Sequence, residues 1–269
     1  MSRRIFIGDV HGHYNGLMQL VAMIAPTESD TLHFVGDLID RGPNSAQVVE
    51  FVRHNNYPCV LGNHEHLLLN AFPDEDSNLS AFQGWLNSGG QPTLTSYPST
   101  EALLEHVQWL KTLPLYLDLG DVLMVHAGLN PQKTLAHQSQ MDLCWIRDDF
   151  HRHPKPFFED KQIITGHTIT FTLPGVEPGQ IAQGPGWLDI DTGGYHPKSG
   201  WLTAIDIDHE LVYQVNTKTK AKRLSTLAAV SVFVEPATVQ SRSDRRQQRL
   251  AAESLAAENG QVNPVVPAK

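Results

Sequence analysis

A short apolar run that ends in glycine plus an acidic or amide residue occurs three times near the start of this chain. Ile5-Phe6-Ile7 runs into Gly8-Asp9-Val10-His11-Gly12. Leu32-His33-Phe34-Val35 runs into Gly36-Asp37-Leu38-Ile39-Asp40-Arg41-Gly42, and Cys59-Val60-Leu61 into Gly62-Asn63-His64-Glu65. Helical periodicity follows each loop, so the pattern predicts strand, loop and helix in succession. The expected pairs are strand 3–8 with helix 14–25, strand 31–36 with helix 44–54, and strand 57–61 with helix 64–71. Their spacing approaches the ~30 residues of a βαβ unit. Right-handed crossovers then bring all three loops to the carboxyl edge of one parallel sheet. Few folds satisfy that constraint, and all of them gather Asp9, His11, Asp37 and Asn63 in one place.

Further along, Pro73–Asn78 is a polar insertion, and helices are expected over 79–87 and 99–111, separated by Ser88-Gly89-Gly90-Gln91-Pro92. From Leu115 the pattern turns to β. A hairpin is expected at Gly120-Asp121, and its second strand ends in His126-Ala127-Gly128. Cys144-Trp145-Ile146-Arg147 reads as loop, and strand 162–165 ends at Gly166-His167. Strands over 187–191, 201–207, 211–215 and 230–234 complete a second, largely antiparallel set. The class is α/β, with one folded unit over 1–236. Residues 237–269 read as an exposed polar helix (242–258) and a disordered tail.

A net charge of −9 offers no global attraction for nucleic acid or an anionic membrane, although a local cation cluster can still bind an anion. Two cysteines, Cys59 and Cys144, are too few for a disulfide framework and read as reduced core thiols. No apolar stretch reaches membrane-spanning length and no apolar leader precedes the first strand, so a soluble cytoplasmic protein is expected.

Asp9, His11, Asp37, Asn63, His126 and His167 all fall at or just after apolar runs. One such residue means little; six at strand ends point to a metal cluster. Two divalent ions roughly 3.5–4 Å apart repel, so a shared carboxylate is needed between them, and Asp37 in the middle unit is the natural bridge. Asp9 and His11 would complete one ion's set, and Asn63, His126 and His167 the other's. Such a pair polarises an anionic phosphate and acidifies water into a nucleophile, with no covalent phosphoenzyme required. His64, beside ligand Asn63 and oriented by Asp40, is placed to act as a general acid. Arg41 and Arg147 would clamp phosphate oxygens through paired N–H donors. Most of the 14 histidines have no role here. His151 and His153 read as a solvated loop, His13 and His66 as rim residues, and His196 as a turn.

Taken together, Gly8-Asp9-Val10-His11-Gly12, Gly36–Gly42, Gly62-Asn63-His64-Glu65, His126-Ala127-Gly128 and Gly166-His167 resemble the motifs of the calcineurin-like metallophosphoesterases, in their phosphoprotein-phosphatase branch. The Trp85–Gly90, Trp145-Ile146-Arg147 and Asp191-Thr192-Gly193 blocks are most similar to small bacterial and phage members. The resemblance implies a four-layer sandwich of two mixed sheets flanked by helices, with the site at the carboxyl ends of the strands and a catalytic domain over 1–236. It implies two divalent ions, most commonly Mn²⁺, with Fe or Zn as alternatives. By the same resemblance Asp9, His11 and Asp37 hold one ion, and Asp37, Asn63, His126 and His167 the other. Arg41 and Arg147 bind phosphate, and His64 with Asp40 serves as the acid. Ile169 stands where nucleases of the wider superfamily carry a second ligand histidine. The leading expectation is a serine/threonine protein phosphatase that tolerates small phosphoesters. The alternatives are a symmetrical bis(5'-nucleosyl)-tetraphosphatase, against which Glu65 leans because those enzymes typically read GNHD, and an inactive phosphate-binding scaffold.

Overall fold

The computed structural model describes residues 2–73 and 78–240. In chain order, β1 (Arg4–Ile7), α1 (Tyr14–Ile24) and β2 (Thr31–Phe34) form the first βαβ unit, with β1 and β2 parallel and Phe6 opposite His33. Then come α2 (Ser45–His54), α3 (Asn63–Ala71), α4 (Leu79–Trp85), α5 (Gln91–Ser96) and α6 (Thr100–Leu110). β3 (Tyr116–Asp118) and β4 (Val122–Val125) make the expected hairpin. After α7 (Gln140–Trp145) and α8 (Asp148–His151), the chain continues through β5 (Gln162–Thr165), β6 (Ile181–Gly184), β7 (Trp187–Asp189), β8 (Trp201–Asp206), β9 (Leu211–Asn216) and β10 (Lys222–Thr226). α9 (Leu227–Val230) and β11 (Ser231–Phe233) follow.

The strands build two sheets, in the orders β10-β9-β8-β1-β2 and β11-β6-β7-β5-β4-β3. Period-2 alternation stacks them. On β1, Ile5 and Ile7 face a core shared with α1, α2 and α6, while Phe6 faces the other sheet. On β4, Val122 and Met124 face between the sheets, whereas Leu123 and Val125 pack outward on Leu143, Phe150 and Trp187. Helices, sheet, sheet and a layer of loops with short helices follow one another, which is the four-layer arrangement implied by the motifs.

Four expectations need correction. The later strands are not one antiparallel set: β8, β9 and β10 extend the first sheet, and the second is mixed, with β4, β5 and β7 parallel. The third strand shrinks to a single bridge between Phe34 and Cys59. Pro58 has no N–H to donate, and Leu61 N–H turns away to Pro114 O, so the ladder cannot extend either way. The break over 88–92 is instead helical: a π-helical turn, Leu86–Gly90, leads into α5, with Gly89 at φ +111° taking up the kink and Pro92 in the first turn where its missing N–H costs nothing. Cys144 and Trp145 belong to α7, closed by a Ser139–Asp142 capping box, rather than to a loop. The helix expected over 242–258 lies outside the described residues. Cys59 and Cys144 are free and buried, and no helix among the described residues is long and apolar enough to cross a membrane.

Candidate metal centre

Five loops converge where the carboxyl ends of the two sheets meet, and they carry six candidate ligands. The first sheet delivers Asp9 and His11 after β1, Asp37 after β2, and Asn63 after the Cys59 bridge. The second delivers His126 after β4 and His167 after β5. All six side chains are buried. His11 Nε2 lies 3.5 Å from Asp37 Oδ2 and His126 Nε2 3.4 Å from Asp37 Oδ1, so Asp37 stands between them as the sequence places it. Asn63 Oδ1 is 2.9 Å from His126 Nε2 and 2.5 Å from His167 Nδ1. His167 N–H donates to Asp9 Oδ2 at 3.1 Å, tying the two sheets together.

The backbone reaches these positions at a cost. His11, Asp37, Asp40, Arg41 and His167 all adopt positive φ, between +47° and +71°. Such residues cost of order 1–3 kcal/mol each in strain and cluster at functional sites. Two glycines make room. A Cβ at Gly36, itself at φ +96°, would sit 2.7 Å from Gly62 N, and one at Gly166 would fall on the Asp9 carboxylate. Glu65 is wholly buried and accepts the N–H groups of Asp37 (2.8 Å), Leu38 (2.8 Å) and Gly62 (3.1 Å), which locks the second and third loops together.

The donor set fits divalent cations. A carbonyl oxygen only accepts, so His11 Nδ1, 2.9 Å from Ile39 O, and His126 Nδ1, 2.7 Å from Val35 O, carry the ring protons. Burial lowers both imidazole pKa values and keeps the rings neutral. Each Nε2 lone pair is therefore aimed at an oxygen of Asp37. Acceptor faces acceptor, an arrangement that a cation resolves. Buried His167 Nε2 has no hydrogen-bond partner. Burial, with Asp191 and Asp37 close by, raises the Asp9 pKa well above the usual carboxylate range, the mark of crowded negative charge without a counter-ion.

Above this cluster is a pocket of about 110 Å³ whose walls include Arg41, His64, Arg147, Asp191 and Tyr195. His64 Nδ1 is 2.7 Å from Asp40 Oδ2, while its Nε2 is 2.9 Å from Arg41 Nη2. Burial opposes the imidazolium, but Asp37 and Asp40 outweigh it and raise the His64 pKa. Asp40 is fastened by Trp85 Nε1–H (3.0 Å) and Thr93 Oγ1–H (2.7 Å). Arg147 donates to His167 O at 2.9 Å, so it sits on the second-sheet side of the pocket, opposite Arg41's loop. A larger groove of about 740 Å³ between α2 and α6 contains none of these residues.

The family model described as calcineurin-like phosphoesterase matches residues 2–186. The chain belongs to the calcineurin-like phosphoesterases. The expected class, a metal-dependent phosphoric ester hydrolase, agrees with that membership. Among curated relatives, this phosphoesterase is 32% identical over 173 residues to a symmetrical bis(5'-nucleosyl)-tetraphosphatase of Coxiella burnetii, covering 57% of this chain and 55% of the relative. It is 37% identical over 136 residues to the Proteus mirabilis enzyme of the same name, covering 48% and 46%. The chain thus spans about half the length of the curated relatives it matches. A crystal structure assigned to a diadenosine tetraphosphatase aligns with TM-score 0.56 at 22% identity, over 83% of this chain and 93% of that one. A Saccharomyces cerevisiae protein serine/threonine phosphatase aligns with TM-score 0.54 at 18%, over 84% and 79%. At those identities the two structures speak for the fold alone.

Both curated relatives carry the name of a symmetrical bis(5'-nucleosyl)-tetraphosphatase. The Glu65 carboxylate is spent on backbone N–H groups and lines neither of the two pockets. Trp85 and Asp191 fall in blocks that carry the family resemblance but have no site role assigned there, and Tyr195 and Thr93 stand outside every motif. Asp191 follows a strand end, as the six do, and that position was its signal; the other three act from helices or turns that no motif of charge marks. His151 is not in a solvated loop. It is fully buried against the Trp187 ring, with Nδ1 2.9 Å from Arg147 O, because α8 turns it inward. His66 is half-buried and accepts from Trp145 Nε1, and His196 lies in a turn as expected.

Proposed function

We propose that this chain is a two-metal hydrolase that cleaves symmetrical bis(5'-nucleosyl) tetraphosphates to nucleoside diphosphates. The hydrolase reading is carried by the convergence of Asp9, His11, Asp37, Asn63, His126 and His167 on a buried cluster of facing acceptors. The choice of substrate is supported by the tetraphosphatase relatives at 32–37% identity.

In this reading Asp9, His11 and Asp37 hold one ion, and Asp37, Asn63, His126 and His167 the other. When bound, divalent ions supply positive charge for a phosphoryl group and acidify the attacking water. The remaining work falls to the chain. Arg41 and Arg147 flank the pocket and present paired N–H donors to phosphoryl oxygens. Arg41 now rests on His64 Nε2, so turning it onto phosphate frees that nitrogen toward the leaving oxygen. Asp40 holds His64 Nδ1–H and aims Nε2 into the pocket, where the imidazolium delivers its proton to the departing phosphate. Trp85 and Thr93 keep Asp40 in place. Mn²⁺ is the first ion to try, then Fe and Zn.

The test compares diadenosine tetraphosphate, a phosphoserine peptide and a small phosphomonoester at matched concentration with Mn²⁺. Diadenosine tetraphosphate should be turned over at least tenfold faster than the peptide and yield ADP alone. Preferred turnover of the peptide would replace this reading with a protein phosphatase. Absence of turnover with every substrate and metal would leave a phosphate-binding scaffold.

A further inference from the structure

A second surface adjoins the metal pocket and uses none of its ligands. Tyr195 forms part of the pocket wall. One step outward, the rings of Phe171 and His196 meet edge to face with centroids 5.0 Å apart, and His196 lies 6.0 Å from Tyr195. All three are partly exposed. Gly193 permits this approach: at φ +78°, a Cβ there would press on Ile169 at 3.0 Å, Phe171 at 3.2 Å and His196 at 3.4 Å. The turn beneath is braced. His196 N–H and Gly200 N–H both donate to Gly193 O, and Gly193 N–H donates to Asp191 Oδ1. His196 Nδ1 accepts from Lys198 N–H at 3.1 Å, which fixes the ring.

Three cations, Lys198, Lys218 and Arg41, lie near His196, while Asp191 braces the turn from beneath. Partial burial and the nearby cations Lys198, Lys218 and Arg41 lower the His196 pKa, so the ring is neutral and aromatic at pH 7. Arg41 lies over the Tyr195 ring at 4.2 Å, linking the ledge to the phosphate end of the pocket. In a protein of net charge −9, three cations beside a run of aromatic rings call for a partner that is planar at one end and polyanionic at the other. A phosphoserine peptide carries one phosphate and nothing planar beside it. A nucleoside polyphosphate carries both.

We propose that the Phe171–His196 ledge receives one nucleobase of the substrate, with Lys198 and Lys218 countering the phosphates that lie outside the metal pocket. This rests on the dinucleoside polyphosphate reading and adds where the base is bound. Base–aromatic stacking is sequence-tolerant and individually modest, so the ledge holds any nucleobase with a bias toward purines of larger area.

The test is calorimetric binding of ADP and of inorganic pyrophosphate to the metal-loaded full chain. Phe171→Ala and His196→Ala should each weaken ADP by about 5- to 100-fold, at least fivefold more than they weaken pyrophosphate. Phe171→Trp should keep ADP within about threefold of wild type, which separates lost stacking from a misfolded turn. Equal losses for ADP and pyrophosphate, or no loss for ADP, would overturn the ledge. If wild type turns over only phosphopeptide yet prefers ADP to pyrophosphate through Phe171, the substrate reading fails and the ledge stands. If diadenosine tetraphosphate is the best substrate but Phe171→Ala binds ADP normally, the reverse holds.

Discussion

Asp37 concentrates more of the site's physics than any other residue. Its two carboxylate oxygens face His11 and His126, its backbone is held by Glu65, and its φ is +49°. Asp37→Asn should remove the only charge shared between two ions. Bound metal, measured by elemental analysis, should fall from two equivalents to one or none, and turnover should vanish; two retained ions with near-normal rate would refute the bridge. His64→Asn should keep both ions and slow turnover by roughly 10²–10⁴-fold, with a smaller loss for leaving groups that need no proton. Equal losses across leaving groups would remove His64 from the acid role. His151 supplies a pH signature away from the metals. Burial lowers its pKa to about 4, whereas the unfolded chain takes up that proton near pH 6.5. Stability from this group is therefore complete above pH 6.5 and is lost as pH falls toward 4, by roughly 3 kcal/mol at most. The stability gap between wild type and His151→Phe should narrow over that window in urea titrations; a constant gap would show that His151 does not carry it.

Elements differ in how openly the sequence announces them. The loops after β1, β2 and the Cys59 bridge were legible because an apolar run must stop where a Gly-Asp or Gly-Asn pair begins, and Asp9, His11, Asp37 and Asn63 followed from that. His126 and His167 were legible for the same reason on the second sheet. β10 was not: Lys222–Thr226 is largely exposed and too polar to stand out from a loop. β6 hides among glycines and prolines, and the π-helical turn over Leu86–Gly90 defies the rule that paired glycines end a helix. That last miss matters, since Gly89 O accepts Arg41 N–H at 2.9 Å and α5 brings Thr93 to Asp40. The glycine that ends β5 can be tested directly. Gly166→Ala would drive a methyl group into the Asp9 carboxylate, so metal content should drop by at least one equivalent and the melting temperature should fall by several degrees. Full metal content with unchanged melting would mean that the Asp9 loop can yield.

At the scale of the whole molecule, composition and charge narrowed the class, but topology depended on pairings the sequence does not encode locally. β8 and β9 look like a continuation of the preceding strands, yet they cross to the far sheet because β1 exposes an unpaired edge there, where Phe6 meets Ile205. The result is an arrangement in which each layer owns only part of the proposed ion cage: aspartates, one imidazole and an amide on one side, two imidazoles on the other. Cation uptake is thus a gauge of how the layers are seated. A core change between them, such as trimming Met124 or Ile164, would be felt first as weakened capture of the ion that His126 and His167 help to hold, and only later as unfolding.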